Sequence, residues 1–363
     1  MDRNELQNQA VDILEQKKRL ICMWATGTGK SNVLLKFLQK HPGFRTLILV
    51  PEQNNIQNWL DEFDKFQVPT LGVDIICYAS LHKMKNTKWD ICVYDEMPHA
   101  DTDKRNLISK SIEADYVLAL GAVVTWEERV ALEKAYGSFV LSEFGLTDAI
   151  DNGIIPIPTI NVMHLKLDDT KYTYLHDGAK FTAKGYYNIL QKKVKNAVAA
   201  YEAHESYITK QRMLLAGNER KKFLGKLKQN AMRDICEKLE AKDKRFLCFC
   251  SSIKQAEELG EDKAFTSKTP TSMKLLDKFN NKEINSLYVV GKLIEGQNLK
   301  DIECGVIGQL GGTERITVQS IGRVLRAKNP EVYVLVFDDT KDKAFLKTLT
   351  NNVSKEYIKH YNY

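Results

Sequence analysis

A glycine-rich segment near the N-terminus has the residue types needed to hold phosphate groups. The run MWATGTGKS follows an apolar stretch, RLICMW, and precedes a helical pattern, SNVLLKFLQK. Gly27 and Gly29 let backbone N–H groups turn around a phosphate at a helix N-terminus, where the helix dipole favours negative charge. Lys30 supplies a charge for the β- and γ-phosphates, and Ser31 supplies a hydroxyl for Mg²⁺. Trp24 stands where the strict pattern has its first glycine.

A second candidate is a pair of adjacent acids at the end of an apolar strand, in the run WDICVYDEMPH. Asp95, at the strand end, can orient a metal ion, and Glu96 can accept a proton from an attacking water molecule. Adjacent acids are common on protein surfaces. Their combination with a phosphate-binding loop is what favours a catalytic role, and it predicts hydrolysis of ATP with Mg²⁺ as a cofactor.

A third candidate lies near the C-terminus, in the run QSIGRVLRAK. Gln319, Arg323 and Arg326 fall on successive turns of one predicted helix, so their side chains point in related directions. Arginines in this arrangement can reach a γ-phosphate, whose charge spreads over its oxygens as transfer proceeds. Alone, the pattern is that of a basic helix face. With the two earlier motifs, it predicts that these residues complete the catalytic site.

The elements that position these residues alternate between short apolar strands and helical patterns. Such alternation indicates an α/β fold with parallel sheets covered by helices on both faces. The pattern resets near Asn152, where GIIPIPTINVMHLKL carries two prolines before an alternating strand. We therefore predict a first lobe over 1–148 and a second lobe over 149–168 and 236–363, with a helical insertion over 169–235.

The predicted insertion is basic. Eleven Lys or Arg and three Glu lie between Lys192 and Arg233. The pattern predicts two helices around a break at Ala216-Gly217-Asn218. Two interpretations are open: the charges form solvated helix faces, or the insertion is an arm that contacts nucleic-acid phosphates through residues such as Lys221 and Lys222.

Composition sets broad limits. The chain has 363 residues, a net charge of +6, 43% hydrophobic and 28% charged residues. This length suits two domains, since single domains usually run to ~100–200 residues. The first residues lack the apolar run of a secretory signal, so we expect a cytoplasmic location. The cysteines form no CxxC pair and are predicted to be reduced core residues; they are Cys22, Cys77, Cys92, Cys236, Cys248, Cys250 and Cys304.

Together these motifs resemble those of the superfamily 2 helicases, and most closely the compact branch that contains phage helicases and the motor subunits of type III restriction enzymes. ELQNQAVDIL is similar to the glutamine motif, TLILVPEQNNIQNWLDEF to motif Ia, and IICYASLHK to the segment after it. DEMPH resembles the DExH motif, FCSSIKQAEEL motif IV, VGKLIEGQNLKD motif V and QSIGRVLR motif VI. The resemblance implies two RecA-like lobes that hydrolyse ATP in the cleft between them, and helicase or translocase activity on nucleic acid.

The resemblance also implies roles for individual residues. Gln7 would read the adenine of ATP. The implied nucleotide site is completed by Thr26, Gly27, Thr28, Gly29, Lys30, Ser31, Glu295, Gly296 and Asn298. The implied nucleic-acid track comprises Pro51, Tyr78, Ser80, Ser251, Thr266 and Lys292.

Two departures from the family pattern bear on the mechanism. Pro98 stands where DExH proteins carry His, and His99 follows it. The Ser/Thr-Ala-Thr run of motif III is replaced by Gly121-Ala122-Val123, and Thr125 is a weak substitute. We expect a monomer that acts on single-stranded or branched DNA. Two alternatives stay open: an RNA helicase, and an ATP-regulated DNA clamp or annealing module with weak or no unwinding.

Overall fold

The computed structural model describes residues 1–96, 111–122, 124, 126–266, 272–290, 299, 301–308, 327–350 and 353–363. The described residues fall into two compact units, which separate between Ile157 and Pro158. The predicted boundary at 148/149 was therefore too early. The reason is local: the short helix before the boundary, Leu146–Asp151, still packs in the first lobe, where Ala149 and Ile150 are buried.

The first lobe contains one six-stranded, fully parallel sheet in the order β3-β2-β4-β5-β1-β6. Buried apolar runs form its central strands, as expected for a parallel sheet covered on both faces. The strands are β1 (Arg19–Trp24), β2 (Thr46–Val50), β3 (Val73–Cys77), β4 (Lys88–Tyr94), β5 (Glu113–Gly121) and β6 (Val140–Phe144). The helices are α1 (Arg3–Lys17), α2 (Ser31–Lys40), α3 (Gln53–Lys65), α4 (Trp126–Tyr136) and α5 (Leu146–Asp151), with a 3-10 helix at Tyr78–Met84.

The sheet order determines where the candidate residues lie. The phosphate loop follows β1, and the two acids follow β4; only β5 lies between these strands. Neighbouring strands are ~4.8 Å apart, and the carboxyl ends of parallel strands lie along one edge of a sheet. The two motifs therefore lie along the same edge.

The second lobe contains a seven-stranded parallel sheet in the order β11-β12-β10-β13-β14-β7-β15 and a two-stranded antiparallel hairpin, β8-β9. The strands are β7 (Thr159–Leu165), β8 (Tyr174–His176), β9 (Ala179–Phe181), β10 (Phe246–Cys250), β11 (Ala264–Phe265), β12 (Ser286–Val290), β13 (Cys304–Ile307), β14 (Glu331–Phe337) and β15 (Ile358–Asn362). The helices are α6 (Ala183–Ala203), α7 (Tyr207–Leu227), α8 (Gln229–Glu240), α9 (Ile253–Gly260), α10 (Ser272–Asn280) and α11 (Asp342–Thr350).

The inserted helices differ from the prediction in two respects: three helices, α6, α7 and α8, begin within 169–235 where two were predicted, and the chain breaks elsewhere. The break predicted at Ala216-Gly217-Asn218 is wrong, because α7 runs without interruption from Tyr207 to Leu227. The chain turns instead before Ser206, whose side chain accepts a hydrogen bond from the Thr209 backbone N–H and caps α7. A cap of this kind favours a helix start. A glycine inside a long helix costs only about 1 kcal/mol, so Gly217 does not end it.

The cysteines behave as predicted. All seven are free, and all but Cys77 are buried. Burial raises the pKa of the Cys92 thiol to about 12. In the part of the chain that the structure describes, no helix is long and apolar enough to cross a membrane.

Candidate ATP site and nucleic-acid contacts

The phosphate loop has the backbone conformation that its glycines permit. Gly27 and Gly29 have φ angles of 90° and 82°, in the left-handed region that side chains disfavour. The helix α2 begins directly after the loop, at Ser31. Left-handed residues alternating with ordinary ones make a concave array of N–H groups that binds anions. The loop and the start of α2 therefore fit a polyphosphate.

Gln7 supports this loop from α1. Its side chain is buried, and its Nε2 donates to the carbonyl oxygens of Gly29 at 3.2 Å and Thr28 at 3.4 Å. A Cβ on residue 29 would lie 2.5 Å from Gln7 Nε2, so a side chain there would displace the Gln7 amide, and the φ angle of 82° already disfavours one. The implied contact of Gln7 with adenine stays a prediction. Its contact with the loop is a role that the sequence did not reveal.

The contacts of Lys30 and Trp24 explain why the loop tolerates tryptophan at position 24, where the strict pattern has glycine. Lys30 Nζ donates to the carbonyl oxygens of Trp24 at 3.0 Å and Ala25 at 3.3 Å. The Trp24 side chain is fully buried, and its indole N–H donates to Ser142 Oγ at 2.9 Å. Because the indole points into the lobe beside β6, it leaves the loop backbone free to turn.

Hydrogen bonds to its backbone and its carboxylate hold Asp95 at the end of β4, among them one at 3.0 Å from the Glu96 backbone N–H to Oδ1. Its backbone N–H donates to the Leu49 carbonyl oxygen at 2.9 Å. Trp59 Nε1 donates to Asp95 Oδ2 at 2.8 Å, and the Tyr78 hydroxyl donates to the Asp95 carbonyl oxygen at 2.8 Å. Neither Trp59 nor Tyr78 was predicted to contact Asp95. The sequence offered one general signal: a tryptophan N–H or tyrosine O–H that becomes buried usually finds a hydrogen-bond partner, but the sequence does not say which one.

The electrostatics of the site join its two motifs. Burial, and then the neighbouring charge of Glu96, raise the pKa of Asp95 to about 6, while the Trp59 hydrogen bond and the charge of Lys30 oppose that rise. Lys30 is thus close enough to act on the carboxylate. Glu96 has a φ angle of 47°, in the left-handed region that is uncommon for a residue with a side chain.

These residues fit Mg²⁺ bound together with a nucleotide. The described residues contain no cluster of three His, Cys, Asp or Glu side chains able to hold a metal. Mg²⁺ in nucleotide sites needs no such cluster, since it is bound by one or two protein ligands, water and phosphates. Ser31 at the helix start and Asp95, whose charge burial disfavours, form that kind of incomplete ligand set.

The implied nucleic-acid residues of the first lobe differ in exposure. Pro51 and Ser80 are partly exposed. Tyr78 is only 2% exposed and its hydroxyl is bonded to Asp95, so its assignment as a nucleic-acid contact is wrong.

The second lobe requires a further correction. Thr266 is 1% exposed and does not offer a surface contact. Ser251 is partly exposed, but its hydroxyl donates to Gln255 Oε1 at 2.8 Å, and Gln255 Nε2 donates to the Gly225 carbonyl oxygen at 2.6 Å. These two hydrogen bonds therefore connect α7 to the start of α9. Of the two lysines, Lys222 is exposed and Lys221 is half-buried.

Several predicted residues lie outside the described ranges, and their roles stay predictions. They are Pro98, His99, Val123, Thr125, Lys292, Glu295, Gly296, Asn298, Gln319, Arg323 and Arg326.

Comparison with known proteins agrees with these features. Residues 4–97 match the family model described as DEAD/DEAH box helicase. A curated relative, the DNA 3'-5' translocase XPB2 of Sulfurisphaera tokodaii, is 22% identical over an alignment 370 positions long, gaps included, that covers 92% of this chain and 81% of that protein. The Pyrococcus furiosus Hef helicase domain matches with a TM-score of 0.55 at 13% identity, over 93% of this chain and 96% of that one.

A second solved structure, S. cerevisiae Dbp5 bound to RNA and ADP BeF3, matches with a TM-score of 0.60 at 13% identity, over 98% of this chain and 89% of that one. At such identities the solved structures show the fold alone. They confirm the predicted pair of RecA-like lobes with parallel sheets.

Proposed function

We propose that this chain, an ATP-dependent enzyme of superfamily 2 helicase type, couples ATP hydrolysis to movement along DNA. One observation carries the proposal. The phosphate loop and the Asp95-Glu96 pair lie along the same edge of one parallel sheet, and the charge of Lys30 lowers the pKa of Asp95 there. A loop that holds phosphates beside a half-buried carboxylate is an arrangement for phosphoryl transfer to water.

Each residue of the site has a chemical task in this proposal. The loop N–H groups and Lys30 would bind the phosphates, and Ser31 and Asp95 would hold the metal. When bound, Mg²⁺ would neutralise charge that develops on the transferred phosphate. Glu96 accepts the proton of the attacking water molecule. Arg323 and Arg326, with Gln319, are proposed to stabilise the γ-phosphate in the transition state.

Support for DNA as the substrate comes from the relative that is a DNA translocase and that this chain covers over most of its length. Pro51, Ser80 and Lys222 are the partly or fully exposed residues that we propose to contact a strand. Contacts of this kind act on the phosphate backbone rather than on base identity, so we expect little sequence preference. We propose a monomer that acts on single-stranded or branched DNA.

A second candidate is an ATP-regulated clamp or annealing module. The observation that favours it is the end of β5, where Gly121 and Ala122 stand in place of the hydroxyl residues of motif III. Such a protein would bind DNA in response to ATP without moving along it.

Displacement of streptavidin from biotinylated oligonucleotides tests the proposal and its rivals together. ATP should drive displacement from single-stranded DNA, and Glu96→Gln should abolish displacement while leaving ATP binding intact. Displacement from a matched RNA alone would make the protein an RNA motor. ATP-dependent DNA binding with no displacement from either strand would favour the clamp.

A further inference from the structure

Asp95 is contacted by two elements that also carry candidate nucleic-acid residues. The first is α3, which begins two residues after Pro51 and contains Trp59. The indole of Trp59 is 3% exposed, packs against Phe63 at a ring-centroid distance of 6.3 Å, and donates to the Asp95 carboxylate at 2.8 Å. Trp59 lies ~9 Å along the helix from its first residue. A displacement at Pro51 can therefore reach the carboxylate through less than two turns of rigid helix.

The second element is the 3-10 helix that follows β3. It begins at Tyr78 and contains Ser80, so the buried partner of Asp95 and the partly exposed candidate contact are two residues apart. The Tyr78 ring packs against Tyr94, the last residue of β4, at a centroid distance of 6.4 Å. Its hydroxyl donates to the Asp95 backbone at 2.8 Å. The side chain and the main chain of Asp95 are thus held by different elements.

We propose that Trp59 and Tyr78 are positioning residues that transmit nucleic-acid binding to Asp95. A strand that contacts Pro51 and Ser80 would shift α3 and the 3-10 helix, and the two hydrogen bonds would carry that shift to the carboxylate that holds the metal. This link rests on the proposed function. It uses indole and phenol donors at a site where β5 ends in residues without hydroxyls.

Two conservative substitutions separate the hydrogen bonds from the packing. Trp59→Phe keeps an aromatic ring against Phe63 and removes the indole N–H. Tyr78→Phe keeps the ring against Tyr94 and removes only the hydroxyl. We expect each to lower the ratio of DNA-stimulated to basal ATP turnover by about 10-fold, within the ~5–150-fold range of energetic coupling between sites. The Mg²⁺ concentration for half-maximal turnover should rise, while the Kd for single-stranded DNA, measured without nucleotide and Mg²⁺, stays at the wild-type value.

Trp89→Phe is the matched control. Trp89 is also buried, and its indole N–H also donates a hydrogen bond, but to Thr87 Oγ1 at 2.9 Å at the opposite end of β4. Its stimulation ratio should equal that of the wild type. Thermal midpoints of all variants identify any that lose activity by unfolding.

The double variant adds a test of mechanism. If both residues act on Asp95, the combined loss of stimulation in Trp59→Phe/Tyr78→Phe should be smaller than the product of the two single losses. Equal loss of basal and stimulated turnover would overturn the inference, because it would show a role in metal holding without coupling. An unchanged ratio in both single variants would overturn it as well. Failure of the proposed function is distinguishable, since the wild type would then show no stimulation by DNA.

Discussion

At the scale of single residues, the site depends on placing a carboxylate where its charge is disfavoured. Burial and the nearby Glu96 raise the pKa of Asp95 from 3.8 to about 6. The folded state therefore gains stability when Asp95 is protonated: this contribution is complete below pH ~4 and is lost as the pH rises through about 6. At neutral pH the charged carboxylate destabilises the fold. The cost is consistent with a site in which function is favoured over stability.

Asp95→Asn tests this cost. At pH 7.5 we expect the variant to be more stable than the wild type by about 1 kcal/mol, less than the full linkage value because Asp95 is partly exposed. The asparagine oxygen can still accept from Trp59. The gain should shrink towards pH 5, and ATP turnover should be lost at every pH. Urea unfolding at the two pH values measures the difference in free energy of unfolding between variant and wild type. A variant less stable than the wild type at pH 7.5 would contradict the raised pKa of Asp95.

At the scale of elements, an internal ion pair ties the inserted helices to the second lobe. Lys228 lies between α7 and α8, and its Nζ is 2.6 Å from Oδ2 of Asp342, the first residue of α11; both side chains are fully buried. The Lys341 backbone N–H donates to the Tyr187 hydroxyl of α6 at 2.9 Å. The insertion is thus anchored to the turn before α11 from two of its helices. Lys228 belongs to the basic stretch but cannot contact a phosphate.

Lys228→Met should destabilise the protein by about 3–5 kcal/mol, because it leaves the Asp342 charge buried without its cationic partner. Adding Asp342→Asn should recover a large part of that loss, since the remaining groups are neutral. Lys222→Met, an exposed neighbour on α7, is the control and should be close to neutral. Urea unfolding measures all of them. A double variant as unstable as the single one would show that packing, rather than charge, dominates at this position.

The exposed lysines of the insertion allow a test of the arm hypothesis. Lys222 and Lys226 are exposed on α7. If both contact phosphates, replacing them with glutamine should flatten the dependence of log affinity on log salt by ~0.7–0.9 per contact. Lys17→Gln/Lys65→Gln, at exposed positions of the first lobe, is the charge-matched control. Equal slopes in the test and control variants would mean that these two lysines are a solvated surface.

At the scale of the whole molecule, the sequence predicted what depends on local order. The phosphate loop is a strand, a glycine turn and a helix in succession, and Asp95 follows directly on its strand, so spacing alone located both. The parallel lobes followed from the alternation of elements, and the comparisons confirm them.

Apart from the misplaced lobe boundary and helix break, the errors concern contacts between distant parts of the chain. Tyr78 and Thr266 were assigned to the surface, but tertiary packing buries both. Lys228 lies in the basic stretch between Lys192 and Arg233, for which only solvated or phosphate-contacting roles were considered, but it pairs with Asp342, more than 100 residues further along the chain. Long-range pairing leaves no local signal in a single sequence. Trp59 is a further example: the sequence predicts a helix there, but it does not indicate the hydrogen bond from Trp59 to Asp95.

The most direct test of the account is ATP turnover by the wild type, Lys30→Ala and Lys40→Ala, each with and without single-stranded DNA. Lys40 is the last residue of α2, the helix that follows the phosphate loop. It lies on the surface, where it pairs with Asp12 and Glu15. We predict that DNA stimulates the wild type and Lys40→Ala alike, and that Lys30→Ala loses turnover while it retains DNA binding. Turnover by Lys30→Ala near the wild-type rate would contradict the assignment of the phosphate loop, and with it the proposed ATP site.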